Sequence, residues 1–259
     1  MNKRDLNFRE RALARFPAGS NGEYGIPADL VPVLQRGAGC RVWDTEGRKF
    51  LDMTMAWGAA LVGHAHPKVV EAATRQARDG ANFAAVNLRT VELAERIQAL
   101  SPCAEKIRFV ASGTEATMLC LRIAQGATGR PKVLKFAGAY HGQHPVGVTS
   151  MLAGQPTVPP ASDPSGAGAA WVERDVLTAP FNDLATTEKI IADHARDLAA
   201  VIVEPLHRCI TPGPGFLAGL RSVTEKHGVV LIFDEVVTGF RLALGGAQEY
   251  YGVRPDLVA

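Results

Sequence analysis

Cysteine is scarce: Cys40, Cys103, Cys120 and Cys209 lie far apart in 259 residues and form no Cys-x-x-Cys pair. That leaves no disulfide framework to read and points to a reducing, cytosolic compartment. Long apolar runs are missing too. No segment approaches the roughly 20 apolar residues that cross a bilayer, and the opening MNKRDLNFRERALARF is too charged for a secretory signal. A soluble cytoplasmic protein is predicted, with no membrane partner. Neither sign of charge dominates: the net charge is +2, with no basic stripe to follow a phosphate backbone and no acidic tail. Nucleic acid is not an expected partner.

Several catalytic and binding motifs are also absent. There is no G-x-x-x-x-G-K-[ST], and GAGAAW at 166–171 lacks the third glycine and the preceding strand of a dinucleotide fingerprint. No G-x-S-x-G elbow suggests a serine hydrolase. His64 with His66, and His141 with His144, have no third ligand at a customary spacing, so no metal site is expected.

What is present is a core-forming composition, 47% hydrophobic, arranged in an alternating pattern. After Gly39, GCRVWDTEGRKFLDMT holds two β-prone runs around a Thr-Glu-Gly turn and predicts a hairpin. Helical spacing follows over 69–77 and 91–100. KIRFVA (106–111), KVLKFA (132–137), AAVIVEP (199–205) and GVVLIFDE (228–235) read as strands. Helices are predicted from Thr114 to Gln125, stopping at Gly126, and over GFLAGLRSVTEKHG with a stop at Gly228. Strands apolar on both faces and separated by helices imply an α/β fold with a mostly parallel sheet. The Pro-, Gly- and Ala-rich stretch 153–171 has neither period and reads as a lid, a binding loop or disorder. The closing Asp256-Leu257-Val258-Ala259 reads as the opening of a buried strand after an Arg-Pro turn.

Three places could carry chemistry. In FVASGTEATMLC, Ser112 and Glu115 have capping-box spacing, which an ordinary helix start explains. The same geometry offers an anion site: unpaired N–H groups, the positive end of the helix dipole, a glycine at 113 that lets a phosphate approach, and the Thr114 hydroxyl. The two readings are compatible. Asp234 and Glu204 each end an apolar strand, where open α/β sheets form their ligand crevice. Each could equally cap a turn or pair with an arginine. Tyr140-His141 follows a strand and could set a flat ring against a planar ligand.

In this order, VWDTEGRKFLDM, WGAALVGHAHPKV, SGTEATMLCLRIAQGATGRPKVLKFAGAYHG, VLTAPFND, AAVIVEP, GFLAGLR, LIFDEVVTGFR and GGAQEYYGVRPDLVA resemble the class III aminotransferases. These are fold type I pyridoxal-phosphate enzymes that include glutamate-semialdehyde aminomutase. The resemblance implies a large domain over 61–259 that binds the cofactor on its mostly parallel sheet, and an N-terminal hairpin segment over 1–60 belonging to an incomplete small domain. It implies pyridoxal 5'-phosphate as cofactor, an amino donor and an oxo acceptor as substrates, and a homodimer. Gly113 and Thr114, capped by Ser112, match the phosphate-holding positions. Tyr140 matches the aromatic over the pyridine ring, with His141 beside it. Asp234 matches the partner of the ring nitrogen, Val236 packs against the other ring face, and Glu204 stands near the pocket. Trp57 matches a substrate-pocket aromatic of the aminomutase.

The family also needs a Schiff-base lysine, which follows residues like PDLVA within a few positions. None of the eight lysines matches it. The expectation is therefore an N-terminal portion of an enzyme, with the lysine just beyond Ala259, no catalytic residue among the 259 and little transaminase activity by itself. LHRCITPGPGFL departs from the aminomutase's Gly-Asn-containing loop, and NFAAVNLRT lacks its Gly-Ala-Pro-Thr pattern, so an aminotransferase of unassigned substrate is favoured over the mutase. A truncated, non-catalytic binding protein is the reading from another class.

Overall fold

The computed structural model describes residues 3–16, 32–150 and 170–259. It falls into two compact units, Met1–Ala85 and Val86–Ala259. The first holds α1 (Lys3–Leu13), β1 (Leu34–Ala38), β2 (Arg41–Asp44), β3 (Lys49–Leu51) and α2 (Pro67–Arg78). The expected hairpin is β2–β3, antiparallel, with β1 on the other side of β2. Its Thr-Glu-Gly turn closes because Gly47 takes φ +83° and the Asp44 carboxylate accepts from the N–H groups of Glu46 (3.0 Å) and Arg48 (2.8 Å). Pro67 opens α2, where a missing N–H costs nothing.

The second unit holds α3 (Leu88–Gln98), α4 (Gly113–Thr128), β4 (Lys132–Phe136), α5 (Pro145–Val148), α6 (Ala170–Asp175), β5 (Val176–Ala179), α7 (Leu184–Asp193), β6 (Leu198–Val203), α8 (Phe216–His227), β7 (Val230–Phe233), α9 (Gly246–Tyr251) and β8 (Leu257–Val258). The strands form one parallel sheet in the order β5-β4-β6-β7-β8. Period-two alternation sends Leu134, Phe136, Val201, Val203, Leu231 and Phe233 to one face, against Ile191, Phe216 and Leu220 of α7 and α8. Val133, Ala200, Ile202 and Ile232 face the other way, against Cys120, Leu121 and Ala124 of α4. Burying one such Leu or Phe side chain contributes roughly 2–3 kcal/mol, so both helical layers are held by the sheet. The α/β class with a parallel sheet and a short antiparallel N-terminal sheet is the one read from the sequence.

Local readings fared unevenly. The strands at 132–137, 199–205 and 228–235 form, and so does the closing strand, where Leu257 and Val258 pair with Ile232 and Phe233. The run 106–111 forms no ladder: among the described residues no strand lies beside it, and Phe109 and Val110 stay exposed. Helix α4 does not stop at Gly126. It runs through to Thr128 and ends at Gly129, in the left-handed conformation at φ +67°. Packing of Leu121 and Ala124 on the sheet outweighs the ~1 kcal/mol that an interior glycine costs. The stretch 153–171 lies, up to residue 169, outside the described residues.

Candidate functional site

Parallel strands deliver their carboxyl ends to one edge, and three of them place candidate residues there. β4 runs into the loop carrying Tyr140 and His141, β6 ends at Glu204, and β7 ends at Asp234 and Val236. Asp234 is buried at 6% exposure, and its Oδ2 lies 2.7 Å from His141 Nδ1. Its Oδ1 accepts from the Val236 N–H at 3.2 Å. Burial holds the fully enclosed His141 imidazole below its ordinary pKa, although the Asp234 carboxylate pulls the other way. The neutral ring therefore donates Nδ1–H to Asp234, and its buried Nε2 has no partner.

The N-terminus of α4 sits beside this pair. Ser112 Oγ accepts from the Glu115 N–H at 3.2 Å, while Glu115 reaches back to the Ala111 N–H at 2.6 Å, a capping box displaced by one residue. The cap leaves the N–H groups of Gly113 and Thr114 without a partner among the described residues. A Cβ on Gly113 would lie 2.9 Å from Val236 Cγ2, so any side chain there must push Val236 aside, and glycine leaves that space open between the helix end and Val236. Gly142, at φ +104°, presses on Thr114: a Cβ there would come within 2.7 Å of the Thr114 Cα. The Gln143 N–H donates to Thr114 Oγ1 at 3.2 Å. Thr117 Oγ1 donates to the His141 carbonyl and lies 3.2 Å from His144 Nε2, which ties the loop to the helix.

The structure thus brings Ser112, Gly113, Thr114, Tyr140, His141, Glu204, Asp234 and Val236 to one sheet edge. Tyr140 is half-buried with the Arg208 guanidinium 5.8 Å from its ring centroid, and Val236 is half-exposed. Trp57 belongs to the other unit, where it is 75% exposed and stands in a left-handed run with Met55 and Ala56, at φ +57°. Among the described residues no cluster of His, Cys, Asp and Glu could hold a metal ion. No described helix is long and apolar enough to cross a membrane.

Two buried polar side chains near the site were given no positioning role by the sequence reading. Lys135 is fully buried, with Nζ donating to the carbonyls of Ala139 (3.1 Å), Gly147 (2.9 Å) and Thr149. A charged residue at an inward position of an apolar strand was the available signal. His207 is buried three residues after Glu204, stacked on Phe181 at 4.6 Å. Nothing in LHRCITPG marks it as inward-facing.

The set suits a phosphate-bearing aromatic cation. Free N–H groups at a helix end favour the phosphate, and a buried carboxylate held by a neutral imidazole favours a positive ring nitrogen. The glycine at 113 leaves the space a side chain would fill. A glutamate-1-semialdehyde 2,1-aminomutase of Myxococcus xanthus is 41% identical over 254 residues, covering 95% of this chain and 58% of that protein. An ω-transaminase of Sphaerobacter thermophilus superposes with a TM-score of 0.92 at 36% identity, over 98% of this chain and 59% of its own. A structure described as a transaminase with PLP bound superposes at 0.90 and 30% identity, over 100% and 61%. The chain thus spans about 60% of the length of the proteins it matches. The family model for class III aminotransferases matches residues 27–259, and the chain belongs to that family.

Proposed function

We propose that this chain is the cofactor-holding part of an enzyme that moves an amino group between an amino compound and an oxo acid or aldehyde, with pyridoxal 5'-phosphate as its cofactor. The observation that carries the reading is the buried Asp234–His141 pair at 2.7 Å, beside a helix end with free N–H groups. In this reading the N–H groups of Gly113 and Thr114, with the Thr114 hydroxyl, bind the phosphate. Asp234, oriented by His141 Nδ1–H, holds a proton on the ring nitrogen. Tyr140 and Val236 cover the ring and exclude water. Bound there, the cofactor supplies an electron sink for the pair left on the substrate carbon after its proton departs.

None of the eight lysines is given a part in amine exchange. Lys135 Nζ is enclosed by three carbonyls, and Lys132 Nζ lies 2.6 Å from Asp197. Titration with pyridoxamine 5'-phosphate, followed by protein fluorescence, tests the reading. Saturable binding that weakens about tenfold or more in Asp234→Ala, equivalent to ~1.4 kcal/mol, is expected. Absent binding, or equal affinity in the variant, refutes it. A borohydride-stable link between pyridoxal phosphate and the chain would overturn the statement about lysine.

The 2,1-aminomutase is the second reading, favoured by the name of the Myxococcus relative and by Trp57. Intermolecular transfer is preferred because a tight His207–Ile210 turn stands where the mutase's longer loop is expected. A homodimer is part of the proposal, supported by the large apolar side chains that the first unit leaves exposed, Leu51 at 61% and Met53 at 84%. Light scattering on the purified chain checks it.

A further inference from the structure

Two buried polar atoms at the sheet edge face one another without a hydrogen bond. Glu204 Oε2 and His207 Nδ1 are 3.4 Å apart, both shielded from solvent and both without a partner. Each residue also lies against the loop that carries Tyr140. The Tyr140 backbone N–H faces the Glu204 carboxylate and the Ala137 carbonyl faces the His207 ring, while the adjacent Arg208 Nε donates to the Gly138 carbonyl at 3.2 Å. Since Nδ1 faces Glu204, the nitrogen turned toward this backbone is Nε2, whose closeness is shown at Gly138: a Cβ there would lie 3.3 Å from it. The imidazole is fixed by its stack on Phe181 and by the turn that pairs His207 with Ile210. That turn forces Arg208 to φ +58°, a left-handed conformation a non-glycine residue adopts at a cost.

With Nε2 bearing its proton, Nδ1 offers a lone pair. An ionised Glu204 would offer another, and two lone pairs facing each other at this distance without water repel. One proton between them converts the repulsion into a hydrogen bond. We propose that Glu204 and His207 share a single proton and act together as a positioning pair, clamping the Ala137–Gly142 loop so that Tyr140 and His141 are set for the cofactor. This rests on the cofactor reading above, and it adds His207 as a positioning residue.

The surrounding charges fit one retained proton. Burial pushes the Glu204 carboxyl up to about 7, against the opposing pull of Arg208, with Asp234 adding to the rise and Lys135 opposing it. Burial also lowers His207, and the nearby Arg208, His141 and Lys135 lower it further, so a second proton is resisted. The shared proton is therefore present below neutrality and lost as pH rises above about 7. Its loss turns the clamp into a repulsive pair and loosens the loop at Ala137 and Tyr140.

The test has a ligand-free arm and a binding arm. In the ligand-free chain, ¹⁵N NMR of the His207 ring is expected to show a protonated Nε2 throughout and a hydrogen-bonded Nδ1 that becomes a free lone pair as pH passes about 7. A ring that titrates as an isolated imidazole, or an Nδ1 signal unchanged across the range, overturns the proposal. In the binding arm, pyridoxamine 5'-phosphate is titrated into wild type and Glu204→Gln. The glutamine amide donates permanently to Nδ1, so the variant holds the clamp closed at every pH. The ratio of wild-type to variant Kd should rise roughly fivefold between about pH 7 and 8; a flat ratio overturns the proposal. Failure of pyridoxamine phosphate to bind at any pH refutes the cofactor reading, and the ligand-free spectrum still decides the shared proton.

Discussion

Lys135→Met replaces a buried ammonium with an apolar side chain of similar length, on the sheet face that packs against α4. Three carbonyls lose a donor, those of Ala139, Gly147 and Thr149. Gly147 O retains the His141 N–H at 3.1 Å, so two carbonyls lose the only donor found for them. Leaving a buried acceptor unpaired costs about 1–3 kcal/mol, which gives ~2–6 kcal/mol for the pair. Removing the ammonium also removes its own desolvation cost, which returns part of that sum. A net loss of about 3 kcal/mol follows, and at 2–4 °C per kcal/mol for a chain of this size the melting temperature should fall by roughly 6–12 °C. Differential scanning calorimetry measures it. Hydrogen exchange should rise first in 137–149, because those carbonyls fix the loop bearing Tyr140 and His141. A variant melting within about 1 °C of wild type would show that the carbonyls find other donors, and the argument for Lys135 as the loop's anchor would fail.

Gly113→Ala should leave thermal stability nearly unchanged, since Val236 is half-exposed and can yield, while weakening binding of inorganic phosphate and pyridoxamine phosphate several-fold by calorimetry. Gly142→Ala differs because backbone blocks it: φ +104° and a 2.7 Å approach to the Thr114 Cα predict a loss of about 2 kcal/mol or more in denaturant unfolding. Burial lowers His141, His144 and His207 below their ordinary pKa. The unfolded chain therefore binds more protons than the folded one below about pH 6.5, and stability from these groups falls as pH drops from there. Glu204, raised to about 7, has the opposite slope between its ordinary value and about 7. Urea midpoints should rise from about pH 5 to 6.5, and His144→Gln should flatten part of that rise.

The strands and their faces were legible because period and apolarity are local properties. β4, β6 and β7 are apolar on both sides, and only a sheet covered on both faces can use such residues. Run 106–111 reads the same way and forms no ladder, because a strand needs a neighbour as well as a pattern. The site divides along the same line. Ser112, Gly113 and Thr114 are close in sequence, so cap chemistry exposes them. Asp234 was visible as an acid ending an apolar strand. Lys135 and His207 were not, since their roles come from carbonyls and a carboxylate that other segments bring to them.

The amino-acid sequence by itself determined the α/β class, the strands whose ends hold the candidate residues, and the motifs by which the family is recognised. Those follow from side-chain size, periodicity and capping, which act within a few residues. Only the tertiary structure decided that Asp234 is held by His141 across 93 positions, that a lysine in a core strand anchors the Tyr140 loop, and that Glu204 and His207 face each other unpaired. The physical reason is that burial and orientation set protonation and hydrogen bonding, and both are properties of the packed sheet edge.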